Sequence, residues 1–264
     1  MLTAVKNQTK VLLLSVKYNI MREMTNHVTF LMNVLFMVLN NGTFIIQWLL
    51  LFQLKSDIGG YAFGDVIILW GLAAGTFGIS HIFFDRAYEL SELITNGKLD
   101  SFLVQPKNVL ISVISSGTSS SAIGDLLYGY LVICIFRFSI VNLLLFTVLS
   151  VLGAIVLTAF SVIAGSISFW IVRGDILASN LNNAILHFST YPDGIFKGIV
   201  RLILYTVIPV GFVNYLPLKV ILHFDFITFL IVLGASVFIV FLAFVIFYRG
   251  LRRYSSSNLM IARI

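Results

Sequence analysis

Between Phe226 and Phe247 the chain reads FITFLIVLGASVFIVFLAFVIF, 22 residues without an ionisable side chain. About 20 apolar residues in a helix are enough to cross the hydrocarbon of a bilayer. Of these 22, 17 are Leu, Ile, Val or Phe, each worth roughly −0.3 to −0.6 kcal/mol at a helix centre, so insertion is favourable by about 5 kcal/mol or more. The rest of the chain has the same character. Of its 264 residues 59% are apolar and 11% charged, where soluble domains carry roughly 25% charged residues. Mean hydropathy is +1.02. An all-α integral membrane protein is expected.

No stretch is long and polar enough to build a separate soluble core, and no Pro- or Ser-rich linker divides the chain, so residues 1–264 are expected to form one transmembrane domain. Cys134 stands alone in an apolar run, which leaves no disulfide framework and no Cys-based metal site. The net charge of +6 does not point to nucleic acid, because the Lys and Arg residues flank apolar spans. Met1 to His27 carries Lys6, Lys10, Lys17 and Arg22 spread throughout. That is not the pattern of a signal peptide, and the first true span is expected to direct insertion.

On a helical wheel Lys6, Lys10 and Lys17 lie together beside a stripe of Val5, Leu12, Val16 and Ile20, so an N-terminal interfacial helix is expected within residues 1–27. Transmembrane helices are expected at 28–54, 61–84, 109–136, 140–172, 175–192 and 226–248. Gly71 and Gly75 in the second are either helix-packing positions or merely permissive glycines. The third opens on SVISSGTSSSAIGD, Ser112 to Asp125, and so half-polar a helix should face other helices or water. Asp125 costs roughly 2.5 to 3.5 kcal/mol at a helix centre, and needs a proton relay, water or a partner to justify it. Ser115, Ser119, Asp125, Asn180 and Asn183 are candidates to line a translocation pathway.

The fifth crossing is ambiguous. Hydropathy alone selects 199–217, despite Arg201 and Pro209. The alternative makes 175–192 the crossing and 194–222 a re-entrant outer hairpin whose backbone is buried in protein. Both versions give six crossings. The hairpin version places 12 of the 17 Lys and Arg inside and 5 outside, the rival 14 and 3, so both termini are cytoplasmic on either count.

Residues 85–108 form the longest polar connection. Asp85, Glu89 and Glu92 alternate with Ala87, Leu90, Leu93 and Ile94, and Asn96-Gly97 supplies a left-handed helix stop. Nothing matches a P-loop, so the chain cannot hydrolyse ATP alone. His27, His81, His187 and His223 lie in different elements without metal-ligand spacing. Ser80-His81 is not a convincing serine-protease pair, because adjacent helical residues point about 100° apart. Catalytic and metal-ligating residues are expected to be none.

The segment LSELITNGKLDSFLVQPKNVL, Leu90 to Leu110, resembles the permeases of ABC-type exporters of the type-2 class through Gly97, Lys98, Leu99, Asp100, Phe102, Leu103, Pro106 and Asn108. YPDGIFKGIVRLILYTVIPVGFVNYLP (Tyr191–Pro217) and YRGLRRYSSSN (Tyr248–Asn258) agree with it; Ser255-Ser256-Ser257 departs from its acidic residue and glycine. The resemblance implies six spans with the re-entrant hairpin after a short fifth crossing. It also implies a coupling role toward a separate ATPase for Glu89, Leu90, Leu93, Asn96, Gly97, Lys98, Leu99 and Asp100, offered as a short helix with an apolar ridge and an acidic flank. The partners implied are ABC-type ATPase subunits, which would bind ATP and magnesium, and a second permease copy or related permease in a bacterial plasma membrane. Export is implied over import. The rival expectation is an ion- or proton-coupled secondary transporter, whose mark would be paired ionisable residues at the midplane or inverted repeats.

Overall fold

Asn26 accepts the Thr29 N–H at 3.1 Å and Asp225 accepts the Ile227 and Thr228 N–H groups at 3.3 and 2.9 Å, so the first and last long apolar helices each start at a side-chain cap, as their unpaired first-turn donors require. In the computed structural model, residues 2–255 are described, with side chains from residue 6 onward. The elements run as helices α1 (Leu2–Glu23), α2 (His27–Leu54) and α3 (Phe63–Phe84), a 3-10 turn (Asp85–Ala87), then α4 (Leu90–Thr95), α5 (Asp100–Leu103), α6 (Val109–Ile114) and α7 (Ser121–Phe136). They continue as α8 (Ile140–Ser166), with a 3-10 extension to Phe169, then α9 (Gly174–Ser189), α10 (Gly198–Thr206), a π turn (Gly211–Tyr215), α11 (Leu216–Leu222) and α12 (Phe226–Leu251). Apart from an isolated bridge between Ile58 and Tyr61, all regular elements among the described residues are helical.

Four stretches are long and apolar enough to cross a bilayer: His27–Leu54, Phe63–Thr95, Ile140–Phe169 and Phe226–Leu251. A fifth is added if α10 and Gly211–Leu222, which meet at a bend of 79°, are taken as one span. The bend falls at Pro209, whose missing N–H cannot continue a helix and whose carbonyl accepts the Phe212 and Val213 N–H groups at 3.1 Å each. Helix α9, at 16 residues, is shorter than the roughly 20 that a perpendicular crossing takes.

The bundle is organised around α3. Val66, Ile67, Leu69 and Leu72 are all fully buried, although they point in different directions around the helix, and a helix apolar on every side belongs inside. Gly71, Gly78 and Gly129 bring α3 and α7 into backbone contact. A Cβ at Gly78 would meet Leu126 N at 2.7 Å and Ala122 O at 2.8 Å, and one at Gly129 would meet Gly71 O at 2.7 Å. Gly75 makes room for Phe146 and Ser150 of α8. These glycines are packing positions, which resolves the ambiguity left by the sequence.

One expectation needs correction. The third apolar segment is two helices, α6 and α7, separated by the non-helical residues 115–120. Its serines and threonine serve that break. Thr118 Oγ1 donates to the Ile82 carbonyl at 2.9 Å, Ser119 N donates to the His81 carbonyl at 3.1 Å, and the Ser115 carbonyl accepts Ser15 Oγ and Asn19 Nδ2 from α1 at 2.9 and 3.2 Å. Helix α1 (Leu2–Glu23) falls within the residues expected to form the N-terminal helix, and one face of it packs on the bundle. Val16 is 5% exposed and packs on Ile82 and Ala122, while Lys6, Lys10 and Lys17 point away from the bundle. Ser256, Ser257 and Asn258 of the C-terminal patch lie outside the described residues.

Candidate functional site

The connection from α3 to α6 folds as a compact unit. After the 3-10 turn, α4 ends in a Schellman motif: Lys98 N donates to the Leu93 carbonyl at 2.9 Å and Gly97 N to the Ile94 carbonyl at 3.2 Å, with Gly97 at φ +67°, as this left-handed helix stop requires. Glu92 receives Lys98 Nζ at 3.0 Å and Asn96 Nδ2 at 3.2 Å, and Arg86 pairs with Glu89. The expected apolar ridge is not on the surface. Leu90 and Leu99 are fully buried and Leu93 is 6% exposed, in a cluster with Ala159 and Val162 of α8, Phe169, and Ala243 and Phe247 of α12. The reason is the spacing: Leu90, Leu93 and Ile94 form the i, i+3, i+4 stripe of α4, and that stripe has the bundle available to cover it. At Gly165 a Cβ would meet Leu90 Cβ at 2.9 Å, so α4 lies directly on α8.

What the loop presents outward is polar: Glu92, Thr95, Asn96, Lys98 and Ser101 are exposed. Next to them stands an apolar tip, Leu103 at 41% and Val104 at 84% exposure. Gly97 is buried, and Glu89 and Asp100 are half-buried, Asp100 lying beside Tyr254 at the end of α12. Val104 was not singled out from sequence. One apolar residue before a Gln-Pro turn gives no signal of its exposure.

A second site lies among α2, α3, α7 and α9: a partly open cavity of about 460 Å³. Asp125 of α7 and Ser119 line it. Asn41 Nδ2 donates to Asp125 Oδ1 at 2.6 Å, and Asn41 Oδ1 accepts Trp70 Nε1 at 3.2 Å, so one buried amide ties α2 to α7 and α3. His81 also faces the cavity and holds Asp85 through Nδ1 at 2.7 Å, its ring stacked on Tyr88 at 4.0 Å between centroids. Ser80 turns elsewhere, to Tyr88 OH at 2.9 Å and Thr158 Oγ1 at 2.7 Å, so Ser80 and His81 form no nucleophile–base pair.

The cavity does not gather the other candidates. Ser115 is 2% exposed, and Ser115 Oγ donates to the Ile111 carbonyl at 2.7 Å. Asn180 and Asn183 lie on the exposed face of α9, whereas Asn182 turns inward and accepts Ser161 Oγ at 3.0 Å. Asn41, His81 and Asp85 are among the cavity residues the sequence reading did not assign. Asn41 had a visible signal, since an amide inside an apolar span asks for a partner.

A third polar node closes the opposite end of the bundle. Asp193, 3% exposed, accepts Tyr61 OH at 2.6 Å, Lys219 Nζ at 3.0 Å, Tyr205 OH at 3.2 Å and an Arg201 guanidinium N–H at 3.4 Å. Burial by itself would raise this carboxyl; the hydrogen bonds from Tyr61 and Lys219, the Lys219 charge and the Tyr205 bond outweigh it and hold Asp193 below the usual carboxylate range. A Cβ at Gly194 would run into the Gly59 carbonyl, so the turn after α2 and the turn before α10 touch backbone to backbone. Among the described residues, no group of three or more His, Cys, Asp or Glu could hold a metal ion.

A family model described as ABC-2 family transporter protein matches residues 38–258, spanning α2 to the end of α12 and including the cavity, the α3–α6 loop and the Asp193 node. No curated protein and no solved structure matches the chain.

Proposed function

The chain belongs to the ABC-2 transporter family, as a multi-pass membrane permease, and we propose that it works as the membrane subunit of an ATP-driven exporter. In this reading it crosses the bilayer six times, with α9 as a short fifth crossing, residues 194–222 as a re-entrant outer hairpin and both termini in the cytoplasm. Separate ATPase subunits grip the loop 85–108, and substrate moves where this permease meets a second copy or a related permease.

The observation that carries the reading is the seating of the loop. The buried side of α4 is shared with α8, Phe169 and α12, and its backbone continues α3 through a 3-10 turn. A push on such an element moves three long helices together instead of bending a slack connection. Two further features support a permease partner. Asn40, Thr43 and Gln47 of α2 and Ser179, Asn180, Asn183 and His187 of α9 are exposed, on the two helices that flank the cavity. Polar groups of this kind are costly against lipid and are covered by protein or water.

The buried leucines are the wrong place to test the coupling, because charging Leu93 or Leu99 would disrupt the fold. The exposed rim is the right one. A tagged chain should retain a soluble ATPase on purification, and Val104→Asp combined with Lys98→Glu should lose it while thermal unfolding of the permease stays unchanged. Transport by a preparation with no ATPase attached would refute the proposal. The second reading, a proton-coupled carrier, gains from finding His81, Asp85 and Asp125 in one cavity; unchanged transport across pH in Asp125→Asn would remove it.

A further inference from the structure

We propose that the cavity among α2, α3, α7 and α9 binds a hydrophobic organic monocation, with Asp125 as its counter-charge and Phe44, Trp70 and Phe77 as its aromatic wall. The inference rests on reading the chain as a transporter permease and adds the class of molecule it takes.

Charge is the first argument. Two carboxylates, Asp85 and Asp125, and one imidazole, His81, line the cavity, and among the described residues no Lys or Arg does. His81 is engaged with Asp85. The partner of Asp125 is the Asn41 amide, which supplies a hydrogen bond and no charge. The His81 imidazole also acts on Asp125 through its charge, so one imidazole is shared between two carboxylates; a carboxylate taken out of water and only partly compensated is costly, and a bound cation there lowers a penalty already present in the empty protein. An anionic ligand would add to it.

The wall is the second argument. The Phe44 and Trp70 rings stack with centroids 3.9 Å apart, and the Asn41 bond to Trp70 Nε1 fixes the indole on the same amide that holds Asp125. Aromatic faces attract a cation through their quadrupole, most strongly where water is scarce. The same rings exclude a strongly hydrated ion. No metal-binding group forms among the described residues, which argues against an inorganic cation. The volume, about 460 Å³, falls in the roughly 300–1,000 Å³ range of small-molecule sites.

Equilibrium dialysis of radiolabelled tetraphenylphosphonium against the detergent-purified chain tests this, with tetraphenylborate as an anion of the same shape. Binding of tetraphenylphosphonium should be saturable and displaced by unlabelled compound. Asp125→Asn should weaken it about tenfold, or about 1.4 kcal/mol, and Asp225→Asn, outside the cavity, should leave it unchanged. Wild-type affinity in a folded Asp125→Asn, or equal saturable binding of tetraphenylborate, would overturn the proposal. Should Asp125→Asn not fold, Phe44→Leu replaces it: weaker binding supports the site and unchanged binding overturns it. Retention of an ATPase by the same preparations separates the two readings. An ATPase-bound chain without saturable tetraphenylphosphonium loses only the ligand class, and a chain that binds the cation with no ATPase keeps the site and loses the exporter reading.

Discussion

Asp193 shows how much a single side chain can hold in this molecule. Its two carboxylate oxygens receive donors from Tyr61, Tyr205, Arg201 and Lys219, and thereby fasten α10 and α11 to the turn after α2. Its folded pKa lies below the ordinary value, which for an aspartate is about 3.9. The stabilisation is therefore fully present above about pH 4 and is lost as pH falls through the folded pKa. Asp193→Asn should lower stability by about 1–3 kcal/mol near neutral pH, the typical cost of breaking a buried polar node. In thermal unfolding followed in mild detergent, the gap between wild type and variant should close on acidification below about pH 4; a gap independent of pH would contradict this account. The YPDG turn was visible in the sequence as a break between apolar segments. Its aspartate was not visible as a clasp, because its four donors come from positions 61, 201, 205 and 219, and spacing along the chain does not encode that meeting.

Among the elements, α3, α7 and α12 use glycine in different ways. Gly78 of α3 faces backbone atoms of α7 at less than 3 Å from a built Cβ, whereas Gly234 of α12 has nothing within 4 Å. Gly78→Ala should destabilise the protein by about 1–3 kcal/mol, since backbone cannot move aside as a flexible side chain can. Gly234→Ala should be neutral or slightly stabilising, because alanine is the better helix former. Thermal midpoints of the two variants, measured side by side, check both directions, and equal effects would mean that α3 and α7 do not approach this closely. The same elements show where sequence reading stopped. The uncharged run at 226–247 and the helix α12 coincide almost residue for residue, because burial in lipid is a local property summed along the chain. The segment 109–136 is apolar enough on average to look like one helix, yet residues 115–120 leave it, since their carbonyls and hydroxyls find partners on α1 and α3.

For the molecule as a whole, α1, the loop 85–108 and the end of α12 gather at one end of the bundle, and the turn after α2, the Asp193 node and the hairpin gather at the other. The proposed orientation puts the first end in the cytoplasm. A cysteine at Ile203, 38% exposed, in a background with Cys134 replaced, should react with an impermeant thiol reagent from outside intact cells; reaction only from inside would reverse the orientation of the hairpin. The division of information follows from the physics. Membrane insertion, helicity and the bias of Lys and Arg depend on each residue and its close neighbours, so they can be read from the chain alone; the match of residues 38–258 to a family of membrane transporter proteins agrees with the first of these. The inward turn of Leu90, Leu93 and Leu99, the meeting of Asp125 with Asn41 and Trp70, and the clasp at Asp193 depend on how the helices cross. Those crossings are set by small residues and buried polar pairs far apart in the chain, and only the tertiary structure decided them.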